Sequence, residues 1–229
     1  MGNMGYGYGY LYYMIAMMVL SAVTANPWLL IPIGLFFLLR RWIPDPFVYV
    51  RTFGRISALS RQIEANPSNV TARRDLAMIY LDRMRPGRAA ELVADARKRF
   101  PDDGELLFLA GLAAFRQGQY EQALDPLVKS VERDPRVRFG EPYLLAADCL
   151  MQLGRTEEAI DAYDRYLSVS TSSIEGLVKK AAAHRKHGER DAAKKDLDEA
   201  VRTWSQIPGF QRRTQFVWYV RAHLARLFG

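Results

Sequence analysis

A chain of 229 residues that is 49% hydrophobic and 25% charged has the composition of a globular protein. Its single cysteine, Cys149, excludes a disulfide framework and any multi-cysteine metal knuckle. The net charge of +7 is unevenly placed, because every Lys, Arg, Asp and Glu lies beyond residue 39. The pattern is that of an apolar anchor joined to a charged, helix-rich domain, neither disordered nor collagen-like.

Residues 11–39 read LYYMIAMMVLSAVTANPWLLIPIGLFFLL, broken only by Ser21, Thr24 and Asn26. An apolar run of this length is expected to cross a membrane. No basic n-region precedes it and a second apolar block comes at once after it, which argues against a cleaved signal peptide. A single helix of this length would reach roughly 44 Å, long for a hydrocarbon core of about 30 Å. Asn26-Pro27 is a turn-initiating pair near its middle. The anchor, residues 1–43, is therefore read as a helical hairpin, with one span kinked at Pro27 and Pro32 as the alternative. Arg40, Arg41 and Arg51 come after the apolar run and nothing basic precedes it, so the positive-inside bias places the rest of the chain in the cytosol. Trp42 and the early tyrosines are candidate interfacial anchors, and Arg40, Arg41, Trp42 and Arg51 a candidate contact with anionic headgroups.

Residues 44–69 contain a helix-forming stretch, Phe47–Ala65, with Ile56, Leu59 and Ile63 on one face, expected to cap the domain at its N-terminal end. Beyond it the chain repeats. Leu76-Ala77, Ala89, Ala96 and Pro101 reappear thirty-four residues later as Ala110-Gly111, Ala123, Ser130 and Pro135. A third copy has Ala146-Ala147, Ala159 and Tyr166, displaced by two extra residues near Val137-Arg138. A fourth has Lys180-Ala181, Ala193 and Ala200. Each unit holds two apolar-periodic helices joined by a short polar turn, with small residues where paired helices approach closely. Units fall near 70–103, 104–137, 140–173 and 174–207, and a C-terminal helix lies near 210–229. That helix carries Phe216, Val220, Leu224 and Leu227 on one stripe beside four arginines. It is expected to cap the domain, with a membrane-surface or partner-binding role as alternatives.

These residues and their spacing resemble the tetratricopeptide repeat (TPR) family over residues 70–207. The resemblance implies an all-α solenoid of about four repeats with flanking helices. Tyr166 at a usual Ala, Lys180 at a usual Leu, and Thr171 and Ser205 at usual prolines depart from the family pattern. They point to a loosened junction between the third and fourth units. The resemblance also implies that the first helix of each unit lines a concave groove for a protein or peptide partner. Its facing positions here include Arg74, Met78 and Leu81 in the first unit. The second unit adds Phe108, Leu112 and Phe115, and the third Leu144, Asp148 and Met151. Such a groove is largely apolar and suits an amphipathic helix. Family members that bind chaperone tails carry a Lys/Asn clamp there; only Arg74 resembles it, and Met78 and Leu112 stand where amides are needed.

Nothing in the sequence points to catalysis, a cofactor, a metal or a small-molecule substrate. His184 and His187 have a helix spacing that can hold a metal. However, Lys179, Lys180, Arg185 and Lys186 crowd them with positive charge. Nucleic acid is not expected either. Positive and negative charges cancel across the repeats, and the excess sits beside the anchor and in the C-terminal helix. The sequence thus reads as a bacterial inner-membrane scaffold that holds a protein partner in assembly or regulation of a membrane complex. A permanent structural subunit, its groove filled by a fixed neighbour, is the alternative.

Overall fold

The computed structural model describes residues 46–228 together with Met17, Ser21, Asn26 and Trp28. The expected membrane anchor, including Arg40, Arg41 and Trp42, otherwise lies outside the described residues. The chain divides into two units, residues 1–48 and 49–229. In the first, the Asn26 side-chain oxygen accepts a hydrogen bond from the Trp28 backbone N–H at 3.3 Å, as at the start of an Asx turn. Among the described residues no helix is long and apolar enough to cross a membrane.

The second unit is built from α-helices. Helix α1 spans Pro46–Ala65. Four helix pairs come next: α2 (Val70–Asp82) with α3 (Pro86–Arg99), α4 (Gly104–Arg116) with α5 (Tyr120–Arg133), α6 (Glu141–Gln152) with α7 (Thr156–Val169), and α8 (Ile174–His187) with α9 (Arg190–Gln206). Helix α10 spans Gly209–Phe228. We call the first helix of each pair A and the second B. Three A helices start at a side-chain cap in the same place in the repeat. Asn69 accepts from the Ala72 N–H, Asp103 from Leu106 and Ser173 from Gly176, at 3.0, 2.9 and 3.1 Å. Each cap satisfies one of the otherwise unpaired first-turn donors.

Packing tracks the small-residue positions. Ala77, Ala147 and Ala181 are at most 1% exposed. At the same place Gly111 lets α5 come so close that a Cβ would sit 2.5 Å from Leu127 Cγ. Each A helix packs on its own B helix, and α4, α6 and α8 pack also on the preceding B helix. Between the third and fourth pairs, Tyr166 takes the space an alanine would leave, and Gly176 compensates: its Cβ would stand 2.7 Å from the Tyr166 ring. Helices α6 and α8 approach each other less closely than α2 and α4 or α4 and α6 do. At the other end, the buried Arg83 at the close of α2 donates to Thr52 Oγ1 at 2.8 Å and to the Tyr49 carbonyl at 2.9 Å, which docks α1.

The A-to-B turns need a left-handed residue. Gly118, Gly154 and Gly188 supply it with φ of 75°, 78° and 95°, but the first pair uses Met84 at φ 54°. A side chain in this conformation costs about 1 kcal/mol. Met84 is 45% exposed, so its side chain contributes little to the core. Replacing Met84 with Gly is expected to raise the melting temperature by roughly 2–4 °C. Thermal unfolding tracked by circular dichroism checks this.

Candidate functional site

Successive A helices α2, α4 and α6 lie side by side, each also packed on B helices, and this row is the candidate inner face that the resemblance to TPR proteins implies. The structure brings the sequence-chosen residues to this row but does not place them all at its surface. Phe108 is 0% exposed and Leu81, Leu112 and Leu144 are 4%, 7% and 7% exposed. Leu106 to Leu109 are all buried, because α4 is flanked by α2, α3, α5 and α6 at once. Spacing along one helix face therefore does not isolate a solvent stripe there. Direct partner contact by Phe108, Leu112, Leu81 and Leu144 is corrected to a packing role. Met78 and Phe115 are half-buried against the same cluster, and Met151 against the cluster of the third pair.

What covers these apolar groups is charged. Arg74 pairs with Asp103 and, at 3.5 Å, with Glu105. On the other side of Glu105 stands Arg138, at 3.5 Å, which also reaches Glu141 at 3.4 Å. The Arg138 guanidinium lies 5.1 Å over the Phe108 ring, closing the apolar floor beneath it. Farther along, Asp148 accepts from the Tyr163 hydroxyl and from Lys179 Nζ, both at 2.7 Å. Lys179 also pairs with Glu175 at 2.7 Å and lies 5.5 Å over the Trp218 ring. This face thus carries two ion-pair clusters, one from Arg74 to Glu141 and one of Asp148, Lys179 and Glu175, where a largely apolar groove holding Arg74 and Asp148 is expected from the sequence. Burial works against the Lys179 charge, but Asp148 and Glu175 outweigh it and raise its pKa. Burial, with the Asp148 carboxylate beside it, raises the Tyr163 phenol.

Arg138 reaches its place through an irregular turn. In the short segment Val137–Gly140, Arg138, Phe139 and Gly140 all have positive φ, at 49°, 56° and 80°. This is where two extra residues enter the repeat. Ser170 Oγ donates to the Phe139 carbonyl at 2.9 Å and ties the turn to the end of α7. Groove positions counted along single helices include neither Arg138 nor Lys179. Lys179 was within reach of the sequence, standing four residues after Glu175 on one helix.

The remaining sequence candidates stand apart from these clusters. Arg51 is exposed on α1. His184 Nδ1 stands 2.5 Å from Glu189 and its Nε2 3.6 Å from Asp196, which Lys180 also approaches at 3.5 Å. Among the described residues no His, Cys, Asp and Glu group has an arrangement that could hold a metal. Cys149 is fully enclosed, and burial, aided by Asp148, pushes its thiol up to about 12.

Paired helices with an inner row of A helices define a TPR-like α-solenoid. Known proteins agree on that fold. The model of the family "Anaphase-promoting complex, cyclosome, subunit 3" matches residues 77–166. A DnaJ homolog subfamily C member 7 homolog of Schizosaccharomyces pombe is 30% identical over 89 residues, 38% of this chain and 19% of its own length. The chain thus spans about a fifth of that relative. A crystal structure of MamA superposes with a TM-score of 0.62 at 23% identity, covering 72% of this chain and 97% of MamA. YrrB, described as a TPR protein with an unusual peptide-binding site, gives 0.57 at 19% identity, covering 80% of this chain and 90% of YrrB.

Proposed function

We propose that the chain is a non-enzymatic scaffold that holds a protein partner, a peptide or amphipathic helix, along the inner face of its A helices. The observation that carries this reading is the charged cover of Arg74, Glu105, Arg138, Glu141, Asp148 and Lys179 laid over an apolar floor. Such a surface orients a partner through complementary charge, and its rigid helices lower the ordering cost of binding. The peptide-binding site of YrrB, a protein of similar fold, supports the same reading. The uncharged residues 1–39 and the basic flank after them support anchoring in an inner membrane with the solenoid in the cytosol, where it would serve assembly or regulation of a membrane complex.

The test reverses charge at the surface of these clusters without touching the core. Arg138→Glu combined with Glu105→Lys is expected to keep the helical circular dichroism signal. Crosslinking in native membranes should then recover the partner at least about tenfold less, a loss near 1.4 kcal/mol. An unchanged partner set with intact fold removes the inner face from the function.

A further inference from the structure

The inner face leaves two features of the molecule unused. The first is the outer side of α10. This helix packs on α9 and α8 as α4 and α6 pack on the B and A helices before them. Its inward face is well held. Gln215 accepts from the Ile174 N–H at 2.5 Å and donates to the Ser172 carbonyl at 3.1 Å, and Tyr219 stacks on Trp204 with ring centroids 4.3 Å apart. The outward face is apolar. Val217, Val220, Leu224 and Leu227 recur at helix spacing and are 57%, 38%, 49% and 77% exposed. A terminal helix that only caps a solenoid presents a polar outer face. Arg213 lies on the same line and Arg221 beside it; both are exposed, and neither has an ion-pair partner among the described residues. The helix contains no Asp or Glu.

The second feature is a groove of about 680 Å³ on the B-helix side, between α5 and α7. Its floor is apolar, with Val128 46% exposed and Leu124 and Ala162 half-exposed. Its rim is acidic. Glu121 and Glu158 share Arg155, and Asp125 pairs with Lys129. Glu132 and Asp161 have no ion-pair partner among the described residues, and neither has Arg165, so acids outnumber bases on the rim by five to two. Helices α5 and α7, of 14 residues each, run about 21 Å. The apolar stripe from Val217 to Leu227 runs about 15 Å by the same rise and fits within that length.

We infer that the outer face of α10 docks into the α5–α7 groove of a second copy of this chain. Each surface offers what the other lacks: an apolar stripe flanked by Arg213 and by Arg221, which lies 4.6 Å over the Trp218 ring, against an apolar floor whose rim carries five carboxylates and two arginines. Donor helix and acceptor groove are different surfaces, so the contact is head-to-side, and every copy that gives its helix still offers its groove. Where the helix and the groove of one copy engage two different neighbours, such contacts continue into rings or filaments. The inference goes beyond the inner-face reading and uses none of its residues.

Single cysteines test it in the full-length protein in mild detergent. Cys149 is buried and its thiol suppressed, so it does not compete for a maleimide. One preparation carries Leu224→Cys, another Val128→Cys, both at exposed positions. A short bismaleimide is expected to join the two when mixed and to leave each alone without a covalent link. A chain with both substitutions is expected to give a ladder of higher species. Arg213→Glu with Arg221→Glu should abolish the mixed adduct while leaving the circular dichroism signal unchanged. No mixed adduct, or one indifferent to the arginine reversal, overturns the inference. So does a Leu224→Cys label that stays unlinked but is quenched by nitroxide lipids in phosphatidylglycerol vesicles, which would assign the stripe to a bilayer.

Discussion

Phe108→Ala is expected to destabilise the solenoid by about 3–5 kcal/mol, the usual cost of removing a fully enclosed aromatic ring. Phe108 is among the largest fully buried side chains, inside the cluster that joins the first three helix pairs. Its loss removes apolar burial, opens a cavity that α4 cannot close while four helices hold it, and takes away the ring beneath Arg138. Stability in a solenoid is carried by neighbour interfaces, so damage at the second pair weakens both its junctions. Urea unfolding should show a lower midpoint, and the melting temperature should fall on the order of 10 °C. Phe53→Ala is the control: that ring is 80% exposed and should change stability by no more than about 0.5 kcal/mol. Equal midpoints for the two variants would refute the packing role. The same burial decides which substitutions can probe binding. A charge placed at Phe108 or Leu112 would unfold the second pair, so loss of a partner there would report stability alone.

The repeat was legible because close helix packing leaves a chemical trace. Ala77, Gly111, Ala147 and Ala181 recur where nothing larger fits, and Gly111 has too little room even for a Cβ. Tyr166 at a position that is otherwise small suggested a loosened junction, but α7 packs on α8 as fully as the earlier B helices pack on the next A helix, because Gly176 leaves room for the ring. The turn at Arg138 and Phe139 was not. Positive φ at non-glycine residues leaves no compositional signature, and the two added residues marked only that the register had slipped. The inner face was legible in part. Of the residues chosen by spacing, Arg74 and Asp148 form ion pairs on this face and Met78, Phe115 and Met151 are half-buried; partner contact at any of them belongs to the proposal. Spacing cannot report how many neighbours enclose a helix, and that is why α4 was misread. Nor can it see a cluster whose members come from different helices and a loop, as Glu105 and Arg138 do.

Asp148→Ala is expected to cost about 2–3 kcal/mol, because one carboxylate serves two groups that burial would otherwise penalise. The Tyr163 hydroxyl, on a residue 2% exposed, would lose its acceptor, and Lys179 would keep one ion pair, with Glu175, beside the Trp218 ring. This is the junction where α6 and α8 lie farther apart, so the pair Asp148–Lys179 bridges a gap that backbone packing does not. Asp148→Asn should fall between, since an amide oxygen still accepts from Tyr163 but no longer balances the ammonium. The pH dependence separates a charge effect from a simple loss of packing. Lys179 has its pKa raised above 10.5 and Tyr163 above 10.0 in the folded state. Both therefore contribute stability that is fully present below those unfolded values and is lost as pH rises through the folded ones. The gap between wild type and Asp148→Ala should be constant from neutral pH to about 10 and narrow above it. Urea midpoints taken across that range read the gap directly. A gap that stays the same into strong alkali would mean that Asp148 acts by shape and not by charge.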